Sequence, residues 1–204
     1  MSRAWKSPTL LAQCQLMASA AKLNSHIPLM ANILIIYSTT DGHTVEICRR
    51  LIQVLEPSGH QVKLIDVNDA SGLDLMPFDK IVIGASIRYG KHSPQIVKFI
   101  SQHERLLDSK PNAFFSVNVV ARKPEKNQPA TNPYLKKFLK KIAWKPKELA
   151  VFAGKIDYPR YNPFDRFMIR LIMWITKGPT DPTTVIEFTD WQKVEDFGRL
   201  IGKM

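Results

Sequence analysis

Seven consecutive residues, Ser38, Thr39, Thr40, Asp41, Gly42, His43 and Thr44, follow directly on the apolar run Ile33 to Ile36; four are hydroxylic, one is glycine and none is lysine. Where such a loop joins a strand to a helix, hydroxyls and backbone N–H groups converge, and the helix dipole adds positive potential at the same point. That combination suits an anion. Gly42 lets the backbone approach an oxygen closely or adopt positive φ. A triphosphate loop would bring a lysine to the outer phosphates, and a dinucleotide loop would show three spaced glycines; neither is present.

What remains is a cradle for one terminal phosphomonoester, as in flavin mononucleotide (FMN). Asp41 agrees, because a carboxylate beside a polyphosphate would be repelled. The same residues also describe an ordinary N-capped turn without a ligand. The His43 ring reads as a solvent-facing loop side chain, and no chemistry is assigned to it.

Such a loop needs a strand before it and a helix after it. Residues 32–38 (NILIIYS) read as the strand, and residues 44–55 (TVEICRRLIQVL) carry apolar residues at helical spacing. Beyond Pro57 and Gly59 the alternation continues: strand 61–67, strand 80–86, helix 94–107, strand 112–120 and a fifth strand over 148–158. A helix over 191–204 closes the chain, capped by Thr189 or Asp190. Short apolar strands separated by helices predict a doubly wound parallel α/β sheet of five strands, which places the loop at the carboxyl ends, where such folds bind ligands. The stretch 159–182 reads as an insertion before a strand-like TTVIEF at 183–188.

Composition narrows the classes. The 204 residues favour one domain, and a formal charge of +11 favours an anionic partner. Cys14 and Cys48 form no CxxC pair, so no metal site is expected; Cys48 falls on the apolar face of its helix and reads as a core thiol. No apolar run reaches the ~20 residues of a membrane span. Residues 1–29 match nothing downstream and read as a dispensable leader or an early start, with the folded domain over 30–204.

The loop STTDGHT resembles the phosphate loop of flavodoxins. GASIRYGKH (84–92), residues 116–134, YPRYNPFDRFMIRLIM (158–173) and the late TDW resemble a narrower group, the flavodoxin-type, menaquinone-dependent protoporphyrinogen IX dehydrogenases of bacterial haem biosynthesis. The similarity runs from about Ala31 to the C-terminus. It implies a flavodoxin-like fold, with its five strands in the order 2-1-3-4-5, and FMN as cofactor. The FMN phosphate would lie on Ser38, Thr39, Thr40, Asp41, Gly42, His43 and Thr44. The flavin ring would lie between Ser86, Ile87, Arg88, Tyr89 and Ser116, Val117, Asn118. Flavodoxins usually shield the ring with aromatics; Val119 and Val120 stand here instead, so one ring face is expected to be open.

The implied reaction is dehydrogenation of protoporphyrinogen IX to protoporphyrin IX in three two-electron steps, with electrons passed to menaquinone or ubiquinone. That places the protein on the cytoplasmic face of the bacterial inner membrane, bound peripherally, and leaves a homo-oligomer open. An electron-carrying flavodoxin and an NAD(P)H:quinone reductase are the alternatives; basic charge disfavours the first, the apolar insertion the second. Arg88, Arg122, Lys123 and Lys126 are the candidates for substrate propionates. Nucleic acid is not expected, since no recognised binding motif accompanies the charge. Residues 134–147 read as an amphipathic surface helix with Lys136, Lys137, Lys140 and Lys141 outward. In RFMIRLIMWITK (166–177), Arg166, Arg170 and Lys177 share one side. Its length of about 18 Å suits a helix lying in the membrane interface rather than crossing it. Phe167, Arg170, Leu171, Ile172 and Trp174 are its candidate membrane contacts, and burial within the fold is the competing reading.

Overall fold

The computed structural model describes residues 30–204; the expected leader, 1–29, lies outside them. Strand β1 (Asn32–Ser38) is flanked by β2 (Gln61–Asp66) and β3 (Lys80–Arg88), followed by β5 (Asn112–Val117) and β6 (Glu148–Phe152), all parallel in the order β2-β1-β3-β5-β6. This is the expected five-strand order. A two-residue strand β4 (Lys91–His92) folds back antiparallel on the end of β3. The register aligns Ser38 with Ala85 and Ser86 with Val117, so three strand ends open along one edge.

Strand alternation builds a core on each face. Leu34 and Ile36 pack with α2 (Pro94–Ser109) and α3 (Pro133–Leu139), whereas Ile33 and Ile35 pack with α1 (His43–Leu55) and α5 (Trp191–Lys203). Cys48 is buried as expected, and burial pushes its thiol well above the ordinary range. Asp190 caps α5, its carboxylate accepting from the Lys193 N–H at 3.1 Å.

Three sequence expectations change. The fifth strand breaks at Ala153–Gly154: Phe152 hands its carbonyl to the Asn118 N–H at 3.1 Å, and the chain leaves the sheet. Residues Lys155–Asp157 form β7, which pairs antiparallel with β8 (Val185–Glu187) in a separate two-stranded ribbon. The lysine-rich helix stops at Leu139, because Ile142 and fully buried Trp144 turn inward while the Lys145 ammonium binds the carbonyls of Leu139 and Ile142. The strand predicted over 112–120 ends at Val117 and passes into a 3-10 turn, Val119–Arg122.

The insertion helix, α4 (Pro163–Ile175), is not buried in the sandwich. Of its thirteen residues only Met173 is buried, within a small cluster of Ile156, Tyr158 and Tyr161. No helix among the described residues is long and apolar enough to cross a membrane.

Candidate functional site

The loop after β1 opens α1 in an unusual way. Helices α2, α3, α4 and α5 each begin with a side-chain cap, from Ser93, Asn132, Asn162 and Asp190; α1 has none. Its N-cap is Gly42 at φ +85°, with open space where a Cβ would stand. The Thr39 hydroxyl accepts from the Gly42 N–H at 3.0 Å and shapes the turn. The Thr44 side chain is wholly buried, yet its hydroxyl has no hydrogen-bond partner among the described residues. Buried polar groups are nearly always satisfied, so an orphan hydroxyl at an uncapped helix start marks a place for a ligand oxygen.

His43 differs from expectation: it is buried, with Nδ1 2.9 Å from Glu46 Oε2 and Nε2 2.6 Å from Thr189 Oγ1. Both ring nitrogens are engaged, which leaves its backbone N–H for a ligand. The Thr189 hydroxyl also donates to the Ala153 carbonyl at 2.9 Å, tying the start of α5 to the loop.

Beside the loop lies a mostly apolar cleft. Its lining includes Thr39, Asp41 and Thr44 from the first loop, Ser86, Ile87, Arg88, Tyr89 and Gly90 from the second, and Val117, Asn118, Val119 and Val120 from the third. All three predicted loops therefore meet. Ser116 does not line the cleft; fully buried beneath it, it bonds His92 Nε2 at 2.9 Å. Asn118 braces the third loop, its Oδ1 accepting from the Ala121 N–H at 3.1 Å and from Asn132 Nδ2 at 3.2 Å. Ser38, Thr40 and Gly42 border adjoining hollows.

Beside Val119 and Val120, where an open ring face was expected, α4 also lines the cleft. Ile169, Ile172 and Met173 of α4 line the same cleft and roof the space beside Val119 and Val120. Two polar ties fasten this roof. Arg122 donates to the Thr176 carbonyl (3.2 Å) and hydroxyl (3.1 Å) at the end of α4. At its start, Asp165 accepts from the Arg88 guanidinium and the Tyr89 hydroxyl. Arg88 also holds Asp41 at 2.9 Å and lies over the rings of Tyr89 and Tyr161. Burial pushes the Asp41 carboxyl up against the pull of Arg88, whereas the Tyr89 hydrogen bond, with Arg88, holds Asp165 below the usual carboxylate range.

Of the four candidate propionate contacts, only Arg88 lines the cleft, and carboxylates of the protein already pair it; Arg122, Lys123 and Lys126 lie outside the lining. Sequence reasoning missed Asp165, Lys155 and His92, whose partners or neighbours in the site lie far along the chain. On the outer surface of α4, Phe167, Leu171 and Trp174 are exposed, together with Phe164 and Ile175, while Ile172 reaches the cleft edge. Arg170 donates its Nε–H to the Thr180 carbonyl at 2.8 Å, and Arg166 binds carbonyls of Tyr158, Pro159 and Tyr161.

A family model described as a flavodoxin domain matches residues 34–183. A protein of Escherichia coli strain K12 named protoporphyrinogen IX dehydrogenase (quinone) is 44% identical over 171 residues, covering 84% of this chain and 94% of its own. A Leishmania major protein of the same name is 44% identical over 165 residues, covering 80% of this chain and 71% of its own. The crystal structure of oxidised Flavodoxin 1 from Bacillus cereus is similar over 83% of this chain and 96% of its own, at 16% identity and a TM-score of 0.47. The chain belongs to the flavodoxin domain family and, within it, to the quinone-dependent protoporphyrinogen IX dehydrogenases.

Proposed function

We infer that this protein is an FMN-dependent enzyme that dehydrogenates protoporphyrinogen IX to protoporphyrin IX and passes the electrons to a membrane quinone, menaquinone or ubiquinone. The observation that carries the reading is the unpartnered, buried Thr44 hydroxyl at an uncapped helix start, opening into an apolar cleft roofed by α4. The relatives' names supply the substrate and acceptor.

The residues fit the cofactor. Hydroxyls of Ser38, Thr39, Thr40 and Thr44, with the backbone N–H groups of Asp41, His43 and Thr44, offer donors to one phosphate without a lysine in the loop, while the Gly42 N–H is held by Thr39. Asp41 is turned to Arg88. Ser86 to Tyr89 on one side, and Val117 and Asn118 on the other, flank the place for the ring; Ser116 supports the second loop from beneath. Bound FMN supplies the two-electron acceptor, and the protein's share is to orient substrate and exclude water. Ile169, Ile172 and Met173 do the second. No acid or base is assigned among the described residues.

The outer face of α4 is the membrane contact in this reading. Phe164, Phe167, Leu171, Trp174 and Ile175 offer apolar area to a bilayer, at the cytoplasmic face of the inner membrane where the quinone resides. At thirteen residues α4 is about 20 Å long, suited to lying in the interface.

The test is anaerobic mixing of the purified, flavin-loaded protein with protoporphyrinogen IX, with and without menaquinone, following porphyrin fluorescence. Without quinone each bound flavin accepts one of the three electron pairs that a porphyrin requires, so porphyrin should reach at most about a third of the flavin present, and with quinone it should form catalytically. A bound flavin other than FMN, or no porphyrin under either condition, refutes the assignment.

A further inference from the structure

Asp165 sits in a nest of donors built for one carboxylate. Arg88 Nη2, the Tyr89 hydroxyl and Asn162 Nδ2 (3.0 Å) converge on its two oxygens. The Arg88 and Asp165 side chains keep 21% and 16% of their exposure, so the pair is largely shielded at the cleft mouth. Tyr89 reaches it from a backbone at φ +48°, a conformation that costs energy in a residue with a side chain and persists where its surroundings enforce it. Arg88 is also bound to Asp41, so this one guanidinium faces two carboxylates. Each of its two terminal nitrogens carries one carboxylate, so an anion that is to take this paired end of Arg88 must displace one of them. Asp41, 42% exposed, is bound by Arg88 alone among the described residues, whereas displacing Asp165, on the first turn of α4, opens Arg88, Tyr89 and Asn162 together to an incoming carboxylate.

We propose that Asp165 occupies the place of a substrate carboxylate, and that a carboxylated substrate enters the cleft by displacing it from Arg88. The exchange substitutes one carboxylate for another on the same donors and makes or breaks no covalent bond. A molecule of the same shape without a carboxylate cannot replace Asp165 and meets the pair intact. The latch therefore selects for charge at the cleft mouth, while Ile169, Ile172 and Met173 accept an apolar ring system. Exchange also frees the first turn of α4, whose far end stays tied through Arg122 and Thr176. Naming the substrate class, a porphyrin-type dicarboxylate, rests on the function proposed above.

The experiment uses FMN-loaded protein and two probes in the same detergent, protoporphyrin IX and its dimethyl ester, with affinity read from tryptophan fluorescence quenching. Wild type should prefer the diacid. Asp165→Asn weakens the internal competitor, so the diacid should bind about tenfold tighter, the scale of one charge-assisted hydrogen bond, and the ester should change by less than about twofold. Arg88→Met should abolish the preference for the diacid, and Tyr89→Phe should reduce it. Unchanged or weaker diacid binding in Asp165→Asn, or a preference surviving in Arg88→Met, overturns the exchange while leaving the enzyme assignment standing. If neither porphyrin binds wild type, the substrate assignment falls and the exchange with it.

Discussion

Replacing Thr44 by valine separates a group kept for a ligand from one kept for the fold. Valine matches threonine in shape and in β-branching, so helix propensity at the start of α1 hardly changes. In the absence of flavin, the Thr44 hydroxyl is buried with no partner, a condition that costs about 1–3 kcal/mol. Thr44→Val should therefore leave the flavin-free protein as stable or raise its stability by up to about that amount. With FMN present the sign reverses. A hydrogen bond to a charged phosphate oxygen contributes about 1.5–3 kcal/mol, which makes FMN binding about 10- to 150-fold weaker in the variant. Urea unfolding of the flavin-free protein gives the first quantity, and flavin fluorescence titration gives the second. A variant that unfolds more easily while binding FMN as tightly as wild type would refute the reasoning, because Thr44 would then be a structural hydroxyl.

Burial lowers the His92 pKa from 6.5 to about 4, so as pH falls through that window the unfolded chain takes up the proton before the folded one does. Stability should drop on acidification by a total of about 3 kcal/mol from this group, and His92→Gln should flatten urea midpoints measured between those limits; equal slopes would sink the idea. Gly84→Ala would place a Cβ 2.1 Å from the buried ring of Phe115, so a loss of about 1–3 kcal/mol is expected in the same assay, and a loss below about 0.5 kcal/mol would contradict the packing. Changing Phe167, Leu171 and Trp174 to serine removes exposed apolar area without touching the cleft, so sedimentation with phosphatidylglycerol vesicles should be lost at an unchanged melting temperature; a variant that melts early, or still sediments, argues against the membrane contact.

What the sequence made legible is what local pattern determines. The run before Ser38 fixes β1, apolar spacing fixes α1 with buried Cys48, and Asp190 announces α5, because each depends on neighbours within a few positions. The turn from β1 into α1 was legible for the same reason. The His43 environment was not, since its partner Thr189 lies 146 positions away; nor was the latch, since Arg88 and Asp165 are separated by 77. The fifth strand was read too long because its apolar pattern continues through Ala153 and Gly154 into β7, and only the bond from Asn118 to Phe152 reveals where the sheet ends.

The basic residues of α4 show the same limit and change the physics of the proposed membrane contact. Arg166 and Arg170 share a side of the helix, and spacing alone assigns them to lipid headgroups. The fold instead turns both guanidiniums onto backbone carbonyls of the segments flanking α4, Arg166 onto those of Tyr158, Pro159 and Tyr161 and Arg170 onto that of Thr180. The outward face keeps Phe164, Phe167, Leu171, Trp174 and Ile175, none of them charged. Attachment through this face would come from burying apolar area, a contribution that salt does not screen. Any salt-sensitive part would come from exposed cations, among them Arg170, Lys136, Lys137, Lys140 and Lys141. One helix thus offers one apolar face to the cleft and exposes another, the face of the proposed membrane contact, with its arginines tying it to the flanking segments.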